Sequence, residues 1–349
     1  EDGELQKKSK ALREHEALMK ALEAMPPYEV DVEFRMAEVY RLVDRPYEGL
    51  ALYERVMEAN PTNQIAQGSI YERTDLLLKK LGRRDEAIEG ALAYIEAYPD
   101  GLMPRQLAYL LSTHLQPRQQ YKQVKRIAPY LDKMAPTDDE GILVYDRELY
   151  FMQAVADLML FNFEDSERGF GYMLDTFPGS DQYPSSLYWY AMSKLFLEKH
   201  AEAKEQFERY LTMYPEAGYS DECVYQIGVC LFGQDLYDEA MEQFTLLINT
   251  HPDSAVFPDA CSMRGDILGS RGELDEAVAD YERAIDAAGT AAKATYPTFQ
   301  MVEIFQAEAR YERIINAIEL YLASWGDQAN ISKAVYWLGR TKIKQDKLD

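Results

Sequence analysis

The stretch LYDEAMEQFTLLINTHPDS at 236–254 repeats, with substitutions, KHAEAKEQFERYLTMYPEA at 199–217. Glu-Ala recurs at 202–203 and 239–240, Glu-Gln-Phe at 205–207 and 242–244, and Pro at 215 and 252, always 37 residues apart. A fixed period of this size governs the whole fold, so it is read before any single element. From Ala240 the same step reaches Ala277 in LDEAVADYERAIDAAG (274–289), then YERIINAIELYLASWGD (311–327). Backward from His200 it reaches Phe163, at the head of FEDSERGFGYMLDTFPG (163–179). The closing residues are Pro61, Pro99, Pro136, Pro178, Pro215, Pro252, Gly289 and Gly326, with spacings of 38, 37, 42, 37, 37, 37 and 37.

Each unit reads as two helices. In the second, apolar residues such as Ala240, Phe244, Leu247 and Ile248 fall at helical spacing. Pro or Gly then stops it. Twelve residues before each Ala anchor stands a small residue: Ala37, Ser112, Ala154, Ala191, Gly228, Gly265 and, by the same step, Gly339. A small side chain on the first helix lets the second come close, so both anchors mark one packing contact. Asp75 and Val302 break the pattern, and there the contact must differ.

The order small residue, aromatic or Leu, Ala, Phe or Tyr, Pro resembles the tetratricopeptide repeat, whose basic unit is 34 residues. The likeness runs over about residues 28–349, and the form HPDSAVFPDA (251–260) resembles the variant found in bacterial cell-envelope proteins. These include the lipoprotein of the β-barrel assembly machine and the coordinator of the Tol–Pal system. The resemblance implies an all-α, right-handed superhelical solenoid of stacked antiparallel helix pairs. It also implies a periplasmic or outer-membrane-associated setting, with the cytoplasm as the alternative. We expect a helix within 1–27, a solenoid of about eight pairs over 28–349, and a seam near 135–142, where the 42-residue spacing falls. The last repeat has a first helix, KAVYWLGRTKI, and no room for a second. We therefore expect apolar surface at 334–343 and a longer protein, and the sequence leaves open whether a signal or lipid anchor precedes Glu1.

Net charge is −23, from 37 basic and 60 acidic residues. Phosphate backbones are held by Lys and Arg clusters, so nucleic acid is a poor partner. The basic islands KKLGRR (79–84) and RQQYKQVKR (118–126) read as solvated helix faces. No stretch of 18 apolar residues is present to span a membrane. Cys223 and Cys230 are seven apart on one helix, about 10.5 Å along its axis, too far to bridge. With Cys261 they read as small buried hydrophobes. The four histidines, His15, His114, His200 and His251, lack a second donor at zinc-site spacing, so no metal or other cofactor is expected. His200 takes the slot held elsewhere by Phe163 and Tyr237 and reads as a packing residue. Hydrolase elbows, phosphate loops and glycine fingerprints are absent, and nothing nominates a catalyst.

Some tetratricopeptide proteins clamp a terminal carboxylate with cations on their first helices. Here the corresponding positions are Tyr188, Tyr225, Ser262, Phe299 and Tyr336, then Val155, Met192, Val229, Asp266, Glu303 and Arg340. One cation cannot form that clamp. The first helices of the middle repeats are instead apolar around much of their circumference, more than packing inside a repeat needs. Either wider repeats bury more of these helices, or an apolar surface is open to a partner. By analogy with the family, Phe151, Met152, Val155, Met159, Tyr188, Trp189, Met192, Phe196, Tyr225 and Val229 map to the inner, concave face. Met and aromatic residues suit adaptable peptide grooves. The expectation is a non-enzymatic scaffold binding a peptide segment or helix of another protein, a basic one given the charge. The alternatives are a helper domain of a larger enzyme or envelope machine, and a solenoid stacking sugar rings on its aromatics.

Overall fold

The computed structural model describes residues 28–59, 64–134, 138–216 and 218–345. Among them the regular structure is helical and no strand occurs. The helix expected within 1–27, and Pro61 and Pro136, lie outside the described residues. The chain forms two compact units, residues 1–160 and 161–349. The first holds α1 (Tyr28–Leu42), α2 (Pro46–Ala59), α3 (Gln64–Leu76), α4 (Arg84–Ala97), α5 (Leu102–Leu115), the short α6 (Tyr121–Lys125) and α7 (Ala128–Leu131), and α8 (Glu140–Met159). The second holds α9 (Phe163–Thr176), α10 (Tyr183–Phe196), α11 (His200–Met213), α12 (Ser220–Phe232) and α13 (Tyr237–Thr250). It continues with α14 (Phe257–Ser270), α15 (Leu274–Asp286), α16 (Ala291–Ala307), α17 (Tyr311–Trp325) and α18 (Ile331–Gln345). In the second unit consecutive helices pack on one another, and in the first α1 to α6 do so while α8 packs on α5 and α6, giving the all-α stack of antiparallel pairs that the period predicts.

The period is carried by the backbone. Phe161, Glu198, Asp235, Gly272 and Ala309 all have positive φ, between 57° and 79°, and stand 37 residues apart. Asp44, Gly82 and Gln119 continue the series in the first unit, at 57°, 66° and 57°. Each sits just past the first helix of a pair. The following N–H reaches back to the helix: Lys199 N to Lys194 O at 3.0 Å, Leu236 N to Leu231 O at 3.0 Å, and Arg310 N to Phe305 O at 2.8 Å. This is the six-to-one bond of a Schellman motif. The next residue then adopts nearly one conformation throughout, as at Lys199 (φ −80°, ψ 57°), Leu236 (−87°, 65°) and Arg310 (−82°, 63°), and the second helix starts. Two residues thus reverse the chain in the same way each time. The far end is set by proline, whose ring bars its predecessor from the helical region. Tyr98, Phe177, Tyr214 and His251 accordingly share φ between −124° and −138°, and α4, α9, α11 and α13 stop there.

Between the helices of a pair, size is matched across a 16-residue offset. A Cβ on Gly228 would fall 2.5 Å from Phe244, and one on Gly265 would fall 2.8 Å from Tyr281. Ala37 with Tyr53 and Ala191 with Phe207 occupy the same two positions, all four fully buried. Where the first residue grows, the second shrinks: Val302 faces Ile318, and Asp75 stands opposite Ala91. At Val302 a larger first residue is met by a smaller second one, an exchange of volume that a close-packed contact tolerates better than a one-sided change.

The turn between pairs uses tyrosine. The Tyr210 hydroxyl accepts the N–H of Tyr219 at 3.4 Å, and the Tyr321 hydroxyl accepts that of Asn330 at 2.8 Å. Each acceptor satisfies the residue capping the next helix, α12 or α18. On α18, Val335, Tyr336 and Ile343 are exposed while Trp337 is buried against the last core cluster.

Two glycine substitutions separate backbone from packing effects. A methyl group on Gly272 would meet nothing within 4 Å, so Gly272→Ala should cost about 1 kcal/mol, from its positive φ alone. Gly228→Ala, at ordinary helical φ, should cost about 1–3 kcal/mol by pressing on Phe244. Urea melts of the two variants check this, and equal stability of wild type and Gly228→Ala would refute the packing account.

Candidate functional site

On α10 the fully buried Ala191 fixes which face turns toward the partner helix. Tyr188 and Met192 flank it and are themselves buried. The Tyr188 ring stacks on Tyr219 at 4.3 Å with 6° between planes, and Trp189 meets Tyr188 edge-on at 4.9 Å. Burial, followed by Cys223 and Glu222, raises the Tyr188 phenol, while a hydrogen bond with Gln226 opposes the rise. Trp189 is half-buried, with its second ring neighbour Tyr219 at 6.1 Å. On α12, Tyr225 and Val229 are half-buried, and Tyr225 tilts against Phe244 at 5.9 Å. Tyr188, Trp189, Met192, Tyr225 and Val229 therefore share one hydrophobic cluster.

Phe196 belongs elsewhere. It lies one turn beyond Met192, is 47% exposed, and stacks on Phe163 at 4.7 Å. Phe163 in turn meets Phe161, 78% exposed, at 6.0 Å. This aromatic group sits at the start of the second unit, where Phe161 has positive φ and Phe163 opens α9. Phe151, Met152 and Val155 lie on α8 in the first unit, where Met152 is buried and the other two half-buried. Met159, also on α8, is 43% exposed.

The apolar stretch ends at α14. In the register of Val229 the next residue is Asp266, which accepts the hydroxyls of Tyr281 and Tyr296 at 2.7 and 2.7 Å. Burial pushes its carboxyl up, against those two hydrogen bonds. Glu303 and Arg340 continue the series, so the face turns polar and charged from α14 onward.

Two supports were missed by the sequence reading. Tyr219 completes the aromatic stack, and an aromatic immediately before a helix start was its signal. Lys194 is 6% exposed within an otherwise apolar helix, a position where a cation demands partners. Its ammonium donates to Glu167 at 2.8 Å and Glu202 at 2.5 Å, tying α10 to α9 and α11, and it lies over the Tyr190 ring. Although burial opposes it, hydrogen bonding to both carboxylates raises the Lys194 ammonium.

Among the described residues no group of three His, Cys, Asp or Glu is placed to hold a metal. His15 lies outside them. His200 packs over Gly233, where a Cβ would fall 2.5 Å from the ring, as its slot in the repeat predicts. Cys223, Cys230 and Cys261 are free and buried, and burial pushes their thiols up, Cys261 to about 11 and Cys230 to about 12. No helix of the described residues is long and apolar enough to cross a membrane.

Two family models, both described as tetratricopeptide repeat, match the chain, one over 185–217 and 222–254 and the other over 258–290. No curated protein matches by sequence. Among solved structures, the apo form of the quorum sensor NprR from B. thuringiensis has a TM-score of 0.54 at 12% identity, over 79% of this chain and 81% of its own. A tetratricopeptide repeat protein from Parabacteroides merdae covers 90% of this chain and 98% of its own, with TM-score 0.37 and 12% identity. MamA from Desulfovibrio magneticus covers 52% and 94%, with TM-score 0.43 and 14% identity. At these identities the likeness to NprR is one of fold.

The cysteine environments have a direct readout. With thiols held neutral and enclosed, none of the three should react with Ellman's reagent at pH 8 in the native protein, and all three should react in guanidinium chloride. Rapid native labelling of even one would contradict the packing described for α12 and α14.

Proposed function

We propose that this chain, which matches tetratricopeptide repeat models over 185–217, 222–254 and 258–290, is a non-catalytic scaffold docking another protein on the first helices of its second unit. The observation that carries the proposal is the partly buried Trp189, propped by the Tyr188–Tyr219 stack and sharing one cluster with Tyr225 and Val229. Tyr188 and Met192 form the floor, and the half-buried side chains offer the contact. Phe196 extends the same helix stripe toward the aromatic group of Phe161 and Phe163. A preformed aromatic shelf loses little side-chain freedom on binding, which favours affinity for an extended or helical segment. Phe151, Met152 and Val155 form a separate candidate surface on α8 of the first unit.

The partner in this reading is basic. A net charge of −23 steers cationic segments and makes association slower at high salt. We extend the proposal to a bacterial envelope assembly, on the 37-residue form of the repeat with its HPDSAVFPDA turn. Recovery of the tagged full-length protein in the cytoplasmic fraction would reject that extension alone.

The test is affinity capture with the intact protein, comparing wild type with Trp189→Ala and following both by thermal melt. Loss of a central aromatic anchor should weaken the interaction by about 2 kcal/mol or more. The half-buried position of Trp189 predicts a melting temperature close to wild type. A fall of many degrees would place Trp189 in the core and end the proposal, as would undiminished capture by the variant.

A further inference from the structure

Successive second helices leave a groove between them, floored by the intervening first helix, and in the second unit three such grooves can be compared position by position. The first lies between α11 and α13, with a cavity of about 470 Å³. Its floor is Ile227 and Leu231, and its walls are polar, including Glu208, Glu239, Glu242 and Gln243. One repeat on, Arg264 takes the place of Ile227 and Asp280 that of Gln243. Two guanidinium N–H groups donate to the Asp280 carboxylate at 2.6 and 2.6 Å, and a third reaches Thr245 at 3.1 Å. That groove is spanned by an ion pair.

Another repeat on, between α15 and α17, the same two positions are Met301 and Ala317. They make no polar bridge. Ala288, a small residue, stands in the register of Tyr214 and lines this groove. The result is a cavity of about 600 Å³ with Met301 and Phe305 in its floor and Ile285, Leu320 and Trp325 in its walls. Leu320 is 63% exposed at the rim. The charges have changed as well. Glu239 of the first groove is replaced by Arg313, whose guanidinium lies over the Phe305 ring at 5.4 Å. The opposite lip keeps two exposed carboxylates, Glu282 and Asp286.

We propose that the groove between α15 and α17 is a second docking site, which takes a segment of a partner protein that inserts one large apolar side chain and sets an adjacent Lys or Arg against Glu282 and Asp286. Charge selects this occupant. The one cation of the lining is engaged on an aromatic face, whereas both lip carboxylates are open, so a cation beside the apolar anchor finds complementary charge. A second copy of the chain, also at −23, is repelled at long range. This site is independent of the aromatic shelf on the first helices.

The experiment pans a phage-displayed random peptide library against the full chain, then measures labelled synthetic copies of the enriched peptides by fluorescence anisotropy. Enriched peptides should pair an aromatic residue, Leu or Met with a neighbouring Lys or Arg. Met301→Arg with Ala317→Asp transplants the ion pair of the preceding repeat and should weaken binding about tenfold or more at an unchanged melting temperature. Ala317→Gln, copying Gln243, does the same by filling the groove and serves if the double variant is unstable. Glu282→Lys with Asp286→Lys should weaken the cationic peptides. Trp189→Ala should leave them untouched, which separates this site from the one proposed above. The proposal is overturned if no such peptides are enriched, if they bind the filled grooves as well as the wild type, or if they lack the cation. It is also overturned if the full chain self-associates through this groove, seen as an oligomer that Ala317→Gln dissociates.

Discussion

The contact between Gly228 and Phe244 is the constraint on which the rest of the second unit depends. Without a side chain at 228, α13 comes close enough for the Phe244 ring to lie against the backbone of α12. That approach fixes the rotation of the first helix about its own axis. Once the small residue points at the partner helix, the residues three and four away flank it, and the remaining faces meet the neighbouring repeat or solvent. Tyr225 and Val229 are only partly covered because Gly228 turns inward. The same holds on α10, where Ala191 turns inward and leaves Trp189 only half-covered.

Exchange of volume across this contact allows repeats of different sequence to keep one geometry. Val302 and Ile318 are fully buried at the positions that Gly265 and Tyr281 hold one repeat earlier. The reversal between paired helices is equally indifferent to side chains. It accepts Glu198, Asp235 and Ala309 in a conformation that glycine would hold with less strain. Because the turn is enforced by the six-to-one hydrogen bond and the two packed helices, local preference can be overridden at modest cost. A frame with this tolerance leaves most other positions free to differ from repeat to repeat.

The repeat was legible because its markers act through the backbone. Proline excludes its predecessor from the helix and the small residues control approach, so 37-residue spacing alone predicted where α9, α11 and α13 end. The apolar excess of α10 and α12 was legible too, but not its division. Met192 and Phe196 look equivalent at i and i+4, yet one joins the cluster under Trp189 and the other stacks with Phe163. That separation depends on where the preceding repeat ends, which no single helix pattern encodes. Tyr219 escaped notice because its role is long-range, set by a ring arriving from α10. The positive-φ residues escaped because only Gly82 and Gly272 carry the usual sign.

The grooves between second helices show why a repeat protein is best read by differences between repeats. Met301 and Ala317 are unremarked in any helix, and each would pass as an ordinary core choice. Their meaning comes from Arg264 and Asp280 one repeat earlier, where the same positions hold a bidentate ion pair with a buried carboxylate and a half-buried guanidinium. A buried pair of this kind carries a large desolvation cost that its geometry must offset, so its value lies as much in specifying the contact as in strengthening it. Replacing it by Met and Ala removes the desolvation cost but leaves space that no neighbouring side chain reaches to fill. An apolar void inside a core would lower stability, whereas a void at the rim of a groove can be covered by a ligand. The shared frame makes the two cases comparable, and the second unit has placed its space at the rim.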